Sequence, residues 1–160
     1  MQSEPDKLAA LTDTARALET AGVRYALIGG LAVGIHAGLP RATVDVDVAA
    51  HLGEGRAAAV QALERAGLRK TGEFEHSVNF RHATGEPVQL AFDADFDAMI
   101  ERAESIDVAG TRVMVVRKVD LIAMKRRAAA DPARRKSKRL RDQADIELLL
   151  GDVPSPDEGW

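Results

Sequence analysis

The sequence predicts an α/β (α+β) chain, a mixed β-sheet flanked by helices and finished by a C-terminal helical pair. Three observations predict it. Segments with apolar residues at helical spacing alternate with short apolar or strictly alternating runs, and glycine or proline separates most of them. The last third, by contrast, carries two long, charged helical patterns with no strand between them. A chain of 160 residues with 46% hydrophobic content has enough apolar material for one continuous core.

Taken in order, Lys7 to Ala21 reads as a helix because Leu8, Leu11, Ala15 and Leu18 recur every three or four residues, and Gly22 is placed to stop it. Arg24 to Ile28 is a short, nearly all-apolar run, read as a buried strand that delivers the chain into a tight Gly29-Gly30 turn. Leu31 to Ala37 follows as a brief helix, and Gly38-Leu-Pro40 breaks it. Thr43 to Val48 alternates valine with polar residues and predicts a half-buried strand.

Arg56 to Ala66, closed by Gly67, is a second amphipathic helix. Ser77 to His82 and Val88 to Phe92 form a hairpin about Ala83-Thr-Gly-Glu-Pro87. Phe96, Met99, Ile100 and Ala103 mark a third helix, and Ile106 to Val116 holds two short strands about Ala109-Gly110-Thr111. Val119 to Ala130 and Ala133 to Leu150 are helices separated by Asp131-Pro132, a stop that also opens the next helix. There is no internal repeat. Residues 1–150 read as one domain and 151–160 as a tail without periodicity.

Composition excludes several kinds of chemistry. The chain has no cysteine, which removes disulfides, zinc fingers, iron–sulfur clusters and thiol catalysis. The N-terminal MQSEPDKLAA lacks the basic patch and apolar run of a secretory signal, and no segment approaches the roughly 20 apolar residues that span a bilayer, so a cytoplasmic protein is expected. Charge is unevenly spread: 11 of the 22 Lys and Arg residues fall between Arg117 and Arg141, against only Asp120 and Asp131. That segment could meet RNA or a polyphosphate, although a charge run is more often a solvated helix face. No aromatic residue interleaves its Arg134 to Arg141 core, which argues against single-strand stacking there.

The strand period of two places Val44, Val46 and Val48 toward the core and Asp45 and Asp47 together on the other face, roughly 6 to 7 Å apart at the backbone. Two carboxylates so close repel unless a cation lies between them, and magnesium takes carboxylate oxygens together with substrate phosphates. A bare Asp-x-Asp is also compatible with an acidic, solvent-facing strand. Its context favours phosphate chemistry: Gly29-Gly30 follows a buried strand and opens a helix, so backbone N–H groups and a helix N-terminus can approach an anion. Lys125 projects among Leu121, Ile122, Met124 and Ala128, and a lysine on that arc needs a protein carboxylate or a phosphate as partner unless its head snorkels to water. His36, His51, His76 and His82 show no metal-ligand spacing, and Asp142 and Asp145 are expected to pair with basic groups rather than metal.

Gly29-Gly30, then Arg41-Ala-Thr-Val-Asp-Val-Asp47, resemble the motif of the nucleotidyltransferase superfamily with the DNA polymerase beta fold, most closely bacterial AbiEii-type nucleotidyltransferase-like proteins. The likeness continues through Asp120-Leu-Ile-Ala-Met-Lys125 and Arg139-Leu-Arg-Asp142-Gln-Ala-Asp145. It implies a nucleotidyltransferase-like fold, Asp45 and Asp47 as catalytic metal-holding residues, Gly29 and Gly30 as the phosphate turn, and Arg41 and Thr43 bracing the acidic strand. It further implies a nucleoside triphosphate, Mg2+ or Mn2+, an acceptor that is RNA, protein or a small molecule, a toxin–antitoxin or phage-defence setting with a cognate antitoxin or toxin, and no membrane. Relatives often carry a third acid on a later strand, where this chain has Gln89. An amide cannot act as a base and ligates magnesium poorly, so a catalytically silent nucleotide- or partner-binding module stands as the rival, with an RNA-binding regulator as a third reading. Asp93 shares the parity of Gln89 but lies about 13 Å further along a strand.

Overall fold

The computed structural model describes residues 6–39, 43, 45–153 and 155. Expectations for Arg41, Val44 and the end of the tail with Trp160 fall outside those residues. The chain runs α1 (Lys7–Thr20), β1 (Tyr25–Ile28), α2 (Gly29–Ala37), β2 (Val46–Ala50), a short 3-10 turn (Leu52–Glu54), α3 (Arg56–Arg65), β3 (Arg69–Glu73), β4 (Ser77–Arg81), β5 (Pro87–Ala91), α4 (Ala94–Glu101), β6 (Glu104–Val108), β7 (Thr111–Val115), α5 (Lys118–Ala130) and α6 (Lys136–Leu149). The strands form one mixed sheet in the order β3-β4-β5-β2-β1-β7-β6. β1 pairs antiparallel with β2 and parallel with β7, and β2 pairs parallel with β5.

Alternation on β2, β4 and β5 divides the sheet into two faces. Val46, Val48, Val78, Phe80, Val88 and Leu90 are buried and join the core that includes Leu11, Leu18 and Leu63 of α1 and α3. The opposite face carries Asp47, Asn79 and Gln89, aligned in one cross-strand row by the registers Asp47↔Gln89 and Asn79↔Gln89. α2 packs on β1 and β2, and α5 and α6 pack on α2 and on each other.

Several boundaries differ from the sequence-based reading. The glycine pair does not form a turn ahead of α2 but is its first turn, with Gly29 at φ +73. The acidic strand begins at Val46, so Asp45 immediately precedes it. β3 was not anticipated: Arg69-Lys-Thr-Gly-Glu73 has no apolar residue, and pairing with β4 makes it a strand. α6 starts at Lys136 rather than Ala133, because Asp131 draws the intervening residues into a turn by accepting from Ala133 N–H at 2.9 Å and Arg134 N–H at 3.1 Å.

Candidate functional site

β1 ends at Ile28 and passes directly into Gly29 of α2, and β2 runs back beside β1 with Ile28 opposite Asp47. Gly29 occupies the left-handed region, and a Cβ there would collide with the Asp47 carboxylate, whose own Cβ would be only 3.0 Å away. The glycine therefore serves two needs: it permits the entry into α2, and it lets a carboxylate lie against the helix N-terminus. Thr43 Oγ1 donates to Asp45 carbonyl oxygen at 3.3 Å, which ties the segment before β2 to the acidic pair.

α5 and α6 supply the facing wall. Lys125 Nζ lies 3.2 Å from Asp142 Oδ1 and 3.1 Å from Asp145 Oδ2, and Arg134 Nε lies 2.8 Å from Asp142 Oδ2. Asp142 and Asp145 are both 2% exposed, so these cations hold two buried charges in place. Lys125 thus finds the anionic partner its position demanded, and it finds it in protein carboxylates. The two aspartates pair across to α5 and the preceding loop rather than along their own helix.

Gly29, Gly30, Thr43, Asp45, Asp47 and Lys125 all line one cleft of about 710 Å3, together with Arg134, Lys138, Arg141, Asp142 and Asp145. The expected residues from three separate stretches of sequence are therefore brought together. Arg134, Lys138 and Arg141 belong to the basic run that the sequence leaves open between a solvated helix face and a contact with RNA or a polyphosphate. The signal that distinguishes them is spacing: Lys138, Arg141, Asp142 and Asp145 fall at i, i+3, i+4 and i+7, one face of α6.

Gln89 is the lateral neighbour of Asp47 on β5 and lines a smaller recess of about 140 Å3 with Asp45, Thr71, Asn79 and Arg81. Asp93 stands apart from both: it caps α4, with Oδ1 accepting from Asp95 N–H at 2.9 Å, and lines neither recess. The histidines are engaged elsewhere. His36 Nε2 is 2.6 Å from Val116 carbonyl oxygen, His82 Nε2 is 2.7 Å from Asp13 Oδ2, and His51 lies among Arg24, Glu54 and Glu101. In that last cluster, burial is the largest single influence and would raise the Glu54 carboxyl, but the Arg24 Nε–H bond at 2.5 Å, the charges of Arg24 and His51 and a backbone hydrogen bond together outweigh it and leave its pKa lowered.

Two neighbouring carboxylates are hard oxygen donors, the kind magnesium takes before completing its octahedron with phosphate oxygens and water. Among the described residues no group of three His, Asp or Glu side chains is gathered to hold an ion. Asp45 and Asp47 are oxygen donors of that kind. Across the cleft, Lys138 and Arg141 add positive charge to its lining. Among the described residues no helix is long and apolar enough to cross a membrane.

A mixed sheet of this order, with a glycine-led helix beside an acidic strand, has the architecture of nucleotidyltransferases. The antibiotic-resistance factor ANT(2'')-Ia superposes with a TM-score of 0.64 at 18% identity, over 91% of this chain and 85% of its own. A nucleotidyltransferase-like protein from Paracoccidioides brasiliensis gives 0.64 at 20% identity, over 98% and 81%. The lincosamide adenylyltransferase LnuA gives 0.60 at 14%, over 86% and 92%. At these identities the likeness is one of fold. No curated protein matches the sequence significantly. Residues 12–158 match the family model described as nucleotidyl transferase AbiEii toxin of type IV toxin–antitoxin systems, and the chain belongs to that family.

Proposed function

We propose that the chain is a magnesium- or manganese-dependent nucleotidyltransferase that moves a nucleoside monophosphate from a triphosphate to an acceptor hydroxyl. The observation that carries this reading is the convergence of Gly29-Gly30, Asp45, Asp47 and Lys125 on one cleft. In the reaction the acceptor oxygen bonds to the α-phosphorus, the bond from that phosphorus to the bridging oxygen breaks, pyrophosphate leaves and the hydroxyl proton is released. The bound cation would neutralise charge on the transferring phosphoryl group.

The protein's part is positional and electrostatic. Asp45 and Asp47 would hold the cation, and the N-terminal amides of α2 would face phosphate oxygens. Lys125, fixed by Asp142 and Asp145, presents a cation that need not reorganise as the reaction proceeds. Lys138 and Arg141 would offset the remaining triphosphate charge. The family description supports a toxin role with a cognate antitoxin as partner.

Gln89 favours a second reading, a module that binds nucleotide without turning it over, because no third carboxylate stands beside Asp47 at that position. Incubation with α-labelled triphosphates, magnesium or manganese, and mixed cellular RNA and protein separates the two. Label transfer with pyrophosphate release supports the enzyme, and binding without release supports the module. Asp45→Asn and Asp47→Asn should each abolish metal-dependent nucleotide binding and transfer; transfer that survives either change refutes the assigned roles.

A further inference from the structure

α6 carries two opposite faces. Asp142, Asp145 and Leu149 are buried on one, and Lys138 and Arg141 on the same side line the cleft. With about 100° between successive residues, the other side gathers Lys136, Leu140, Gln143, Glu147 and Leu150 within an arc of about 80°. All of these are exposed, Leu140 by 53% and Leu150 by 56%. Leu150 caps the helix with right-handed φ and ψ and so still follows its turn. Spacings of four, three, four and three are those of the seam of a coiled coil. Ser137 and Ala144, seven residues apart, flank that seam without bulk.

Charge along α6 shows what the seam fits. Lys136, Lys138, Arg139 and Arg141 crowd its start, whereas Glu147 and, just past its end, Asp152 lie at the other. Asp142 and Asp145 between them are already matched by Lys125 and Arg134. A second α6 laid antiparallel brings each basic start beside an acidic end and opposes the two helix dipoles, whereas a parallel one stacks cations on cations. In the antiparallel register Leu140 meets the partner's Leu150 and Gln143 meets the partner's Glu147. A two-fold axis repeats both contacts, so the seam is its own complement, as a closed symmetric interface requires.

We propose that the chain pairs with a second copy of itself through this outer face of α6, as an antiparallel two-fold dimer. A helix of this length, about 21 Å, buries less than the roughly 1,200 Å2 of a standard interface, so the dimer is weak, with a dissociation constant on the order of tens of micromolar. Seam and cleft lie on opposite sides of α6, so pairing leaves both clefts open. The interface stands whether or not the cleft transfers nucleotides.

The test is sedimentation equilibrium of the full chain from about 5 to about 500 μM, with Tm measured in dilute solution. The average mass should rise with concentration from 17.2 kDa toward twice that value. Leu140→Glu and Leu150→Glu should each weaken association at least about tenfold, because symmetry makes every change count twice. Both side chains are more than half exposed, so dilute Tm should hold. Phe74→Glu, which alters an equally exposed apolar residue away from α6, should leave the mass curve unchanged. Gln143→Lys should tighten the antiparallel dimer several-fold at low salt, since the new lysine faces the partner's Glu147; in a parallel pair it would face its own copy and loosen it. The proposal is overturned if the mass stays at 17.2 kDa throughout, if Leu140→Glu and Leu150→Glu associate like the unaltered chain, or if Gln143→Lys loosens the pair.

Discussion

The carboxylate of Asp47 occupies the space that a Cβ at Gly29 would fill. Any side chain at position 29 must therefore displace the acid as well as adopt a left-handed backbone.

Gly29→Ala and Gly38→Ala separate these two effects. Gly38 has a nearly identical φ of +71, with nothing within 4 Å of where its Cβ would stand. Both changes should cost about 1 to 2 kcal/mol of stability from backbone strain. Only Gly29→Ala should also remove magnesium-dependent nucleotide binding. Thermal denaturation and nucleotide titration of the two variants side by side check this, and equal loss of binding in both would show that Asp47 is not the contact that matters.

Lys125 →Met should destabilise the protein by about 3 kcal/mol, because it takes a cation from beside two carboxylates that are both buried. Asp142→Asn added to that variant should recover a large part of the loss, since one of the buried charges is then gone. Urea denaturation of the single and double variants measures the coupling. Additive losses would mean that Lys125 contributes chiefly through its methylene stem.

Where apolar period carries the information, the fold was legible. The helices and the β1, β4, β5 and β7 strands follow from spacing, because burial of one face is what selects those residues. β3 and the start of α6 were not legible for a shared reason: neither is specified by local apolar pattern. β3 is an edge strand defined by its neighbour, and the Asp131 turn competes with helix for the backbone of Ala133 and Arg134. At the site, the acids, the glycines and Lys125 could be singled out from local chemistry, but Asn79 could not. Asn79 stands two strands from Asp47 in the sheet, a relation created by register alone.

Gln89→Glu would place a third carboxylate beside Asp47. Without a divalent cation, added repulsion should lower stability by about 1 kcal/mol; with magnesium the loss should be recovered, so that the magnesium-dependent rise in Tm grows. If the chain transfers nucleotides, an acid able to accept the acceptor proton should raise the rate at least about tenfold. Scanning calorimetry with and without magnesium reads the first effect, and pyrophosphate release reads the second. A Tm rise no larger than that of the unaltered protein would show that position 89 does not reach the ion.

Tyr25 gives a pH dependence whose sign can be worked out. Burial raises its phenol above the ordinary value of about 10, and the Met114 N–H that its oxygen accepts at 3.1 Å pulls in the opposite direction without prevailing. A raised folded-state pKa means that the unfolded chain ionises first as pH climbs. The stabilisation is therefore complete below about pH 10 and is lost as pH rises from there through the folded value. Tyr25→Phe removes the group and its hydrogen bond, which should cost about 1 kcal/mol at neutral pH. The stability difference between the two proteins should then shrink as pH is taken from about 8 to about 11, because only the unaltered protein carries the alkaline loss. Urea midpoints across that range check it, and a difference that stays constant would mean that the Tyr25 phenol titrates alike in folded and unfolded chains.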